Sequence, residues 1–241
     1  MSTHEVSARE AKHAHGHEHE SGHLAHHFET LDQQSKSATL GMWTFLATEV
    51  MFFGGLFGGY AVYRAINPES FALASLQLNV ALGSINAVSP LTSSLTMALA
   101  GHAGQTSNRQ GQVRFLLLTM LLGATFLGIK AYEYYEEFEK GLIPGLHFNS
   151  KGVLQFPTSF SELAVRRTQL FFIFYFFMTG LHATHMVIGL GVLGTLAVLA
   201  HRGHYSEDYY TPLELSGLYW HFVDIVWIFL FPLLYLIDLH K

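Results

Sequence analysis

Five stretches of about twenty apolar residues constrain this chain more than any other feature, because a helix of roughly that length is what a ~30 Å hydrocarbon layer demands. They run over residues 40–63, 78–100, 113–132, 170–199 and 218–239. Inside a bilayer the backbone must satisfy its own N–H and C=O groups, and long apolar runs without period-two alternation do so as helices. The expected fold is all-α: a polytopic membrane helix bundle of five transmembrane helices with a polar amino-terminal tail. Only 13% of the residues are charged, about half the ~25% usual for soluble domains.

The boundary between tail and bundle falls at residues 1–39 and 40–241. The tail has no apolar run resembling a signal-peptide core, and its first residues are expected to be partly disordered. Its histidines at 13, 15, 17 and 19, then 23, 26 and 27, suit divalent metal as a composition, but so little apolar surface cannot fix a catalytic geometry. In the bundle, Pro90 and the many Ser, Asn and Thr of the second stretch require neighbouring helices or hydroxyls to satisfy freed backbone groups, so that helix belongs inside the bundle or against a partner. The run Glu133-Tyr134-Tyr135-Glu136 reads as an extension of the third helix into the interface, ended by a turn at Ile143-Pro144-Gly145.

Loop charge leaves orientation open. Arg9, Lys12, Lys36, Arg109, Arg114 and Arg202 fall on the amino-terminal side, and Arg64, Lys140, Lys151, Arg166, Arg167 and Lys241 on the other, six against six. Discounting the long third loop favours a cytoplasmic amino terminus. The scattered cations make no nucleic-acid surface. The absence of cysteine excludes disulfides, iron–sulfur clusters, thiol catalysis and thiolate copper sites.

The sharpest single residue is Glu49, an acid in the middle of the first span, where an ionised carboxylate must be paired, protonated or turned to a polar cavity. At 100° per residue it shares a stripe with Phe53, Leu56 and Tyr60, while Gly54/Gly58 and Gly55/Gly59 form a small-residue ridge mainly on the other side, suited to close helix packing. Glu49 would then face something other than the sibling helix. A second constellation is His182 and His185, three apart in Gly180-Leu181-His182-Ala183-Thr184-His185. The third is Trp220-His221-Phe222-Val223-Asp224, with Trp227 continuing its stripe. Three imidazoles and a carboxylate could ligate a metal if helices four and five adjoin. A polar structural lock serves the same residues equally, since histidines in bundles hydrogen-bond across helices. The favoured reading assigns this chain no metal and no catalytic residue. A reading from another class is a His-rich metal-cation transporter.

Taken in order, Gly41-Met42, Glu49-Val50-Met51-Phe52-Phe53-Gly54-Gly55, Asn108-Arg109, Glu133-Tyr134-Tyr135-Glu136, Gly180 through Gly189, and Tyr219-Trp220-His221-Phe222-Val223-Asp224-Ile225-Val226-Trp227 resemble subunit III of the haem-copper terminal oxidases, above all the five-helix bacterial type of cytochrome c oxidase. The resemblance covers roughly residues 37–240. It implies an accessory, non-catalytic subunit of a proton-translocating oxidoreductase that reduces O2 to water. Such a subunit carries no cofactor itself. Haem and copper lie in partner subunits I and II, phospholipid is bound, and a larger respiratory supercomplex is a further partner. It also implies that Glu49 is the proton-related intramembrane acid, and makes Glu133, Arg109, His182, His185, His221, Asp224, Trp220 and Trp227 candidates for polar structure or a lipid cleft. The location it implies is the bacterial inner membrane, multi-pass, with the amino terminus in the cytoplasm. Two helices found at the start of many family members are lacking, so the lipid cleft they help to form needs another source. The quinol oxidase branch and a nitric-oxide-reductase accessory protein are similar alternatives.

Overall fold

The computed structural model describes residues 28–106, 108–145, 148, 154, 162–205 and 210–236. Its elements are α1 (Leu31–Ile66), α2 (Pro68–Ser75), α3 (Val80–Gln105), α4 (Arg109–Glu139), α5 (Glu162–His201) and α6 (Thr211–Phe231), the last continued by a π-helical turn over Pro232–Leu236. Among the described residues four helices are long and apolar enough to cross a membrane: Leu31–Ile66, Arg109–Glu139, Glu162–His201 and Thr211–Leu236. Counted as one span, α2 and α3, which meet at a bend of 80°, would make a fifth. The architecture is the polytopic helical bundle expected from the apolar stretches. The tail histidines lie outside the described residues.

Helix starts follow from local chemistry. Thr30 Oγ1 accepts the Gln33 N–H at 3.2 Å while Gln33 Oε1 accepts the Glu29 N–H at 3.0 Å, a reciprocal arrangement of the capping-box type. It starts α1 nine residues before the apolar stretch at 40. Asn79 caps α3 by accepting from Leu82 N at 3.1 Å, and Asn108 caps α4 by accepting from Gly111 N at 3.0 Å. Pro68 and Pro212 stand in the first turns of α2 and α6, where the missing N–H costs nothing. As its acidic aromatic run suggested, α4 continues to Glu139, and the chain then turns through Gly141 at φ 72°.

The chain divides into two compact units, Met1–Ala47 and Thr48–Lys241. In the first, the described part is helical from Leu31, with an exposed Asp32–Lys36 ion pair at 2.6 Å and Thr44 Oγ1 donating to Leu40 O at 2.9 Å. In the second, α3, α4, α5 and α6 form a closed ring: α3 packs on α4 and α6, and α5 packs on α4 and α6 as well as on α2. Trp220, Trp227, Phe126 and Tyr175 are buried in it, while Phe171 packs on Phe71 of α2. Pro90 is buried in this ring, flanked by Ser89 donating to Leu122 O at 2.9 Å and Ser93 donating to Pro90 O at 3.0 Å. The 48–66 portion of α1 meets α5 through long aromatic side chains. Phe53 packs on His185 and Phe222, and Tyr60 packs on Phe171 and Phe174.

The glycine ridge behaves differently from its expected role. A Cβ built on Gly54, Gly55 or Gly58 meets nothing within 4 Å, and one on Gly59 meets only the Phe174 ring at 3.8 Å. Within the chain it is the Glu49–Phe53–Tyr60 stripe that packs against a sibling helix, while the ridge is left open. The physical reason is reach: wide rings on α1 and α5 hold the two backbones further apart than glycine-mediated packing would.

Candidate functional site

Glu49 is brought to α5 by this aromatic stripe. Its Oε2 lies 3.2 Å from His185 Nε2, with the two side chains 18% and 14% exposed. The approach angle makes no regular hydrogen bond, and Oε2 has no other polar partner. Phe53, at 5.5 Å between ring centroids, and Tyr219, at 6.5 Å, flank the imidazole. On its other side His185 Nδ1 stands 2.9 Å from the Leu181 carbonyl. A carbonyl only accepts, so the hydrogen-bond network assigns the proton to Nδ1. The Nε2 facing Glu49 then either carries a second proton toward a carboxylate or presents a lone pair to a protonated carboxyl. A carboxylate facing a neutral Nε2 would set two lone pairs against each other.

The other candidates each find a separate partner. His182 is 1% exposed and sits between Phe126 and Trp227, at 5.4 and 5.2 Å between centroids, with neither ring nitrogen hydrogen-bonded. His221 Nδ1 meets Ser94 Oγ at 2.6 Å, and Asp224 Oδ2 lies 3.0 Å from Ser93 Oγ, sharing that hydroxyl's one proton with the Pro90 carbonyl. The Trp220 indole N–H also reaches Ser93 Oγ, at 3.1 Å. These bonds tie α6 to α3. The indole of Trp220 is wedged where a Cβ on Gly123 or Gly189 would approach it to 2.8 or 2.9 Å. Arg109 is exposed at the start of α4. His182 and His185, adjacent on the helical wheel, thus turn to different neighbours. The shared ligand set proposed for His182, His185, His221 and Asp224 does not form, and among the described residues no three His, Asp or Glu side chains gather as metal ligands.

Glu133 belongs to a buried cluster that sequence reasoning missed. Lys130 Nζ lies 2.9 Å from Glu133 Oε2 and donates to Tyr175 and Tyr235 hydroxyls at 3.2 and 3.0 Å. The Tyr235 hydroxyl donates to the other Glu133 oxygen. Tyr134, Tyr175, Trp227 and Tyr235 present their rings to the ammonium at 5.0–5.7 Å. One turn on, Glu137 is 1% exposed with Lys140 Nζ 3.7 Å away. The available signal was Lys130 and Glu133 at i, i+3 on one helix. Ser93 and Ser94, the partners of Asp224 and His221, carried none.

A bundle of helices long and apolar enough to cross a membrane, with its buried polar side chains turned inside it, is a multi-pass membrane protein. Its sequence places it further: the profile of cytochrome c oxidase subunit III matches residues 17–140 and 161–238. The chain belongs to the cytochrome c oxidase subunit III family. It is 31% identical over 199 residues to cytochrome c oxidase subunit 3 of Thermostichus vulcanus, covering 82% of this chain and 86% of that one. To cytochrome c oxidase subunit 3 of Alkalihalophilus pseudofirmus it is 30% identical over 216 residues, 88% and 93% of the two chains. Quinol oxidase subunit 3 of Bacillus subtilis is 31% identical over 201 residues, 83% and 87%. Both branches of the oxidases are therefore among its relatives.

Proposed function

We propose that this chain is the accessory third subunit of a proton-translocating cytochrome c oxidase in a bacterial inner membrane, docked beside the subunits I and II that hold the haems and copper. The observation that carries the reading is the Glu49–His185 pair, 3.2 Å apart and largely shielded from solvent. A carboxyl and an imidazole at that distance are two groups between which a proton can pass without a further partner. Such a pair suits a subunit that sustains proton uptake by a neighbouring catalytic subunit. The open glycine ridge, with Val50, Met51 and Phe52 beside it 46–78% exposed, offers a surface for those subunits. Bound phospholipid and a cytoplasmic amino terminus, with Arg109, Arg114 and Arg202 on the inner face, complete the proposal. The cytochrome c branch is preferred to the quinol branch on the motif around Glu49.

Gentle solubilisation of the native membrane followed by capture of this chain tests the docking. A haem-copper subunit and its absorbance spectrum should come with it, and recovery of a stable assembly with its own metal and no haem would refute the reading. Replacing Glu49 with Gln should leave assembly intact and shorten the number of turnovers before activity falls. Unchanged activity over many turnovers would reduce Glu49 to a packing acid.

A further inference from the structure

Where α6 packs on α3, one serine hydroxyl serves three neighbours. Ser93 Oγ lies 3.0 Å from the Pro90 carbonyl, 3.0 Å from Asp224 Oδ2 and 3.1 Å from the Trp220 indole nitrogen. The indole N–H can only donate and the carbonyl can only accept, whereas a hydroxyl has one proton and two lone pairs. With Asp224 ionised, its Oδ2 and the Pro90 carbonyl compete for that single proton, and one lone pair of Ser93 goes unused. With a proton on Asp224 Oδ2, every bond closes: Ser93 accepts from Trp220 and from Asp224 and donates to Pro90. The other carboxyl oxygen, Oδ1, is buried with no hydrogen-bond partner. An un-ionised carbonyl oxygen bears that position at far lower cost than one end of a carboxylate.

The surroundings supply no compensating charge. Asp224 is 2% exposed, and among the described residues no Lys, Arg or His nitrogen lies within 4 Å of its carboxyl. Along α6 itself, the His221 Nδ1 is taken by Ser94 and the Tyr219 hydroxyl donates to the His185 carbonyl. No titratable side chain occurs in α3 between Val80 and Gly101, or in α4 between Leu116 and Ile129. On α5, His182 lies against the Trp227 ring. Lys130 of α4, 5.2 Å from the same ring, is paired with Glu133, and on α1 Glu49 faces His185. We propose that Asp224 is a buried proton-binding site, its carboxyl holding a proton on Oδ2 that bolts α6 to α3 beside Pro90, where α3 lacks a backbone donor. Loss of that proton sets two acceptors against one donor and leaves a bare charge inside the bundle, so the bolt holds only while the acid is neutral. The site shares no residue with the Glu49–His185 pair and does not rest on the docking proposed above.

Infrared difference spectroscopy of the full chain in detergent micelles near neutral pH, native against Asp224→Asn, tests this. The amide N–H of Asn donates to Ser93 as the acid O–H does, so the variant should fold. The difference should show one un-ionised carboxylic carbonyl stretch lost from the native spectrum, with no carboxylate stretch lost beside it. That stretch should fall at the high-frequency end of its range, because Oδ1 accepts no hydrogen bond. Loss of a carboxylate stretch instead overturns the proposal. Ser93→Ala should shift the same carbonyl band, since the acid proton then loses its acceptor, and an unmoved band overturns the proposal as well. Should Asp224→Asn not fold, the native chain carrying carbon-13 in its aspartate carboxyls reads the same group. The label spares every glutamate and falls on four side chains, Asp32, Asp208, Asp224 and Asp238. An un-ionised carbonyl band that moves with the label and again with Ser93→Ala supports the site, and the absence of any label-sensitive band of that kind overturns it.

Discussion

Replacing Lys130 with Met should destabilise the bundle by about 3–5 kcal/mol, the cost of leaving a buried carboxylate without its counter-charge. Lys130 and Glu133 side chains are 4% and 1% exposed and 2.9 Å apart, so neither can be reached by water in place of the partner. The ammonium is also held by two tyrosine hydroxyls and four aromatic rings, contacts that contribute about 0.5–2 kcal/mol each way as cation–π attraction. Met fills the stem volume, which confines the loss to charge and hydrogen bonding. Glu133→Gln should cost less, toward the lower end of the same ~3–5 kcal/mol range, because Tyr175 and Tyr235 still accept from the ammonium. The double variant K130M/E133Q buries no charge and should return to within about 1 kcal/mol of the native chain. The coupling energy of the cycle is then about 5 kcal/mol or more, a factor beyond roughly 1000 in the unfolding equilibrium. Equilibrium unfolding of the four variants in mixed micelles titrated with dodecyl sulfate measures it. A cost below about 1 kcal/mol for Lys130→Met, or a double variant no better than the worse single one, would refute the view that the pair matters through buried charge.

Gly189→Ala and Gly123→Ala each drive a Cβ to within 3 Å of the Trp220 ring, which Ser93 holds in place; both should cost about 1–3 kcal/mol in the same titration. Gly54→Ala and Gly58→Ala meet nothing and should leave the isolated chain unchanged or up to about 1 kcal/mol more stable, while lowering the yield of co-purified partner subunits if that ridge is the docking face. Burial lowers the proton affinity of Lys140, but its hydrogen bond to Glu136 at 2.9 Å and the charges of Glu136 and Glu137 outweigh this and raise its pKa above the ordinary value. A raised folded-state pKa means the contribution is whole below the unfolded value of about 10.4 and is lost as pH climbs through the folded one. Lys140→Gln should therefore lower the melting temperature slightly at pH 8, and that difference should shrink as pH climbs beyond the unfolded value of about 10.4.

The fold was readable because the apolar stretches obey a solvent constraint that tertiary packing cannot override: a backbone in hydrocarbon must be helical. Helix ends were read less well, since they depend on single caps. Thr30 and Gln33 start α1 inside a segment whose polarity suggested a tail, and Asn79 starts α3 after an 80° corner. The faces of α1 were identified by periodicity, but their roles were not. Periodicity separates stripes; whether a stripe meets a sibling helix or a partner depends on the ring sizes opposite it, here Phe174, His185 and Phe222.

The same limit explains the histidines. Spacing of i, i+3 puts His182 and His185 within one arc of α5, and a metal reading follows only if a single neighbour faces that arc. In the structure two neighbours divide it. His182 falls on the α4–α6 side, between Phe126 and Trp227, and His185 on the α1 side, opposite Glu49. A boundary between two helix–helix interfaces runs between residues three apart, and no property of α5 alone locates it. What α5 does determine is the tautomer. The Leu181 carbonyl, four residues before His185 on the same helix, takes the Nδ1 proton and leaves Nε2 to face the acid. The identity of the proton-bearing atom was thus set locally, by one turn of helix, while the identity of its partner was set by the packing of a helix more than a hundred residues away in sequence.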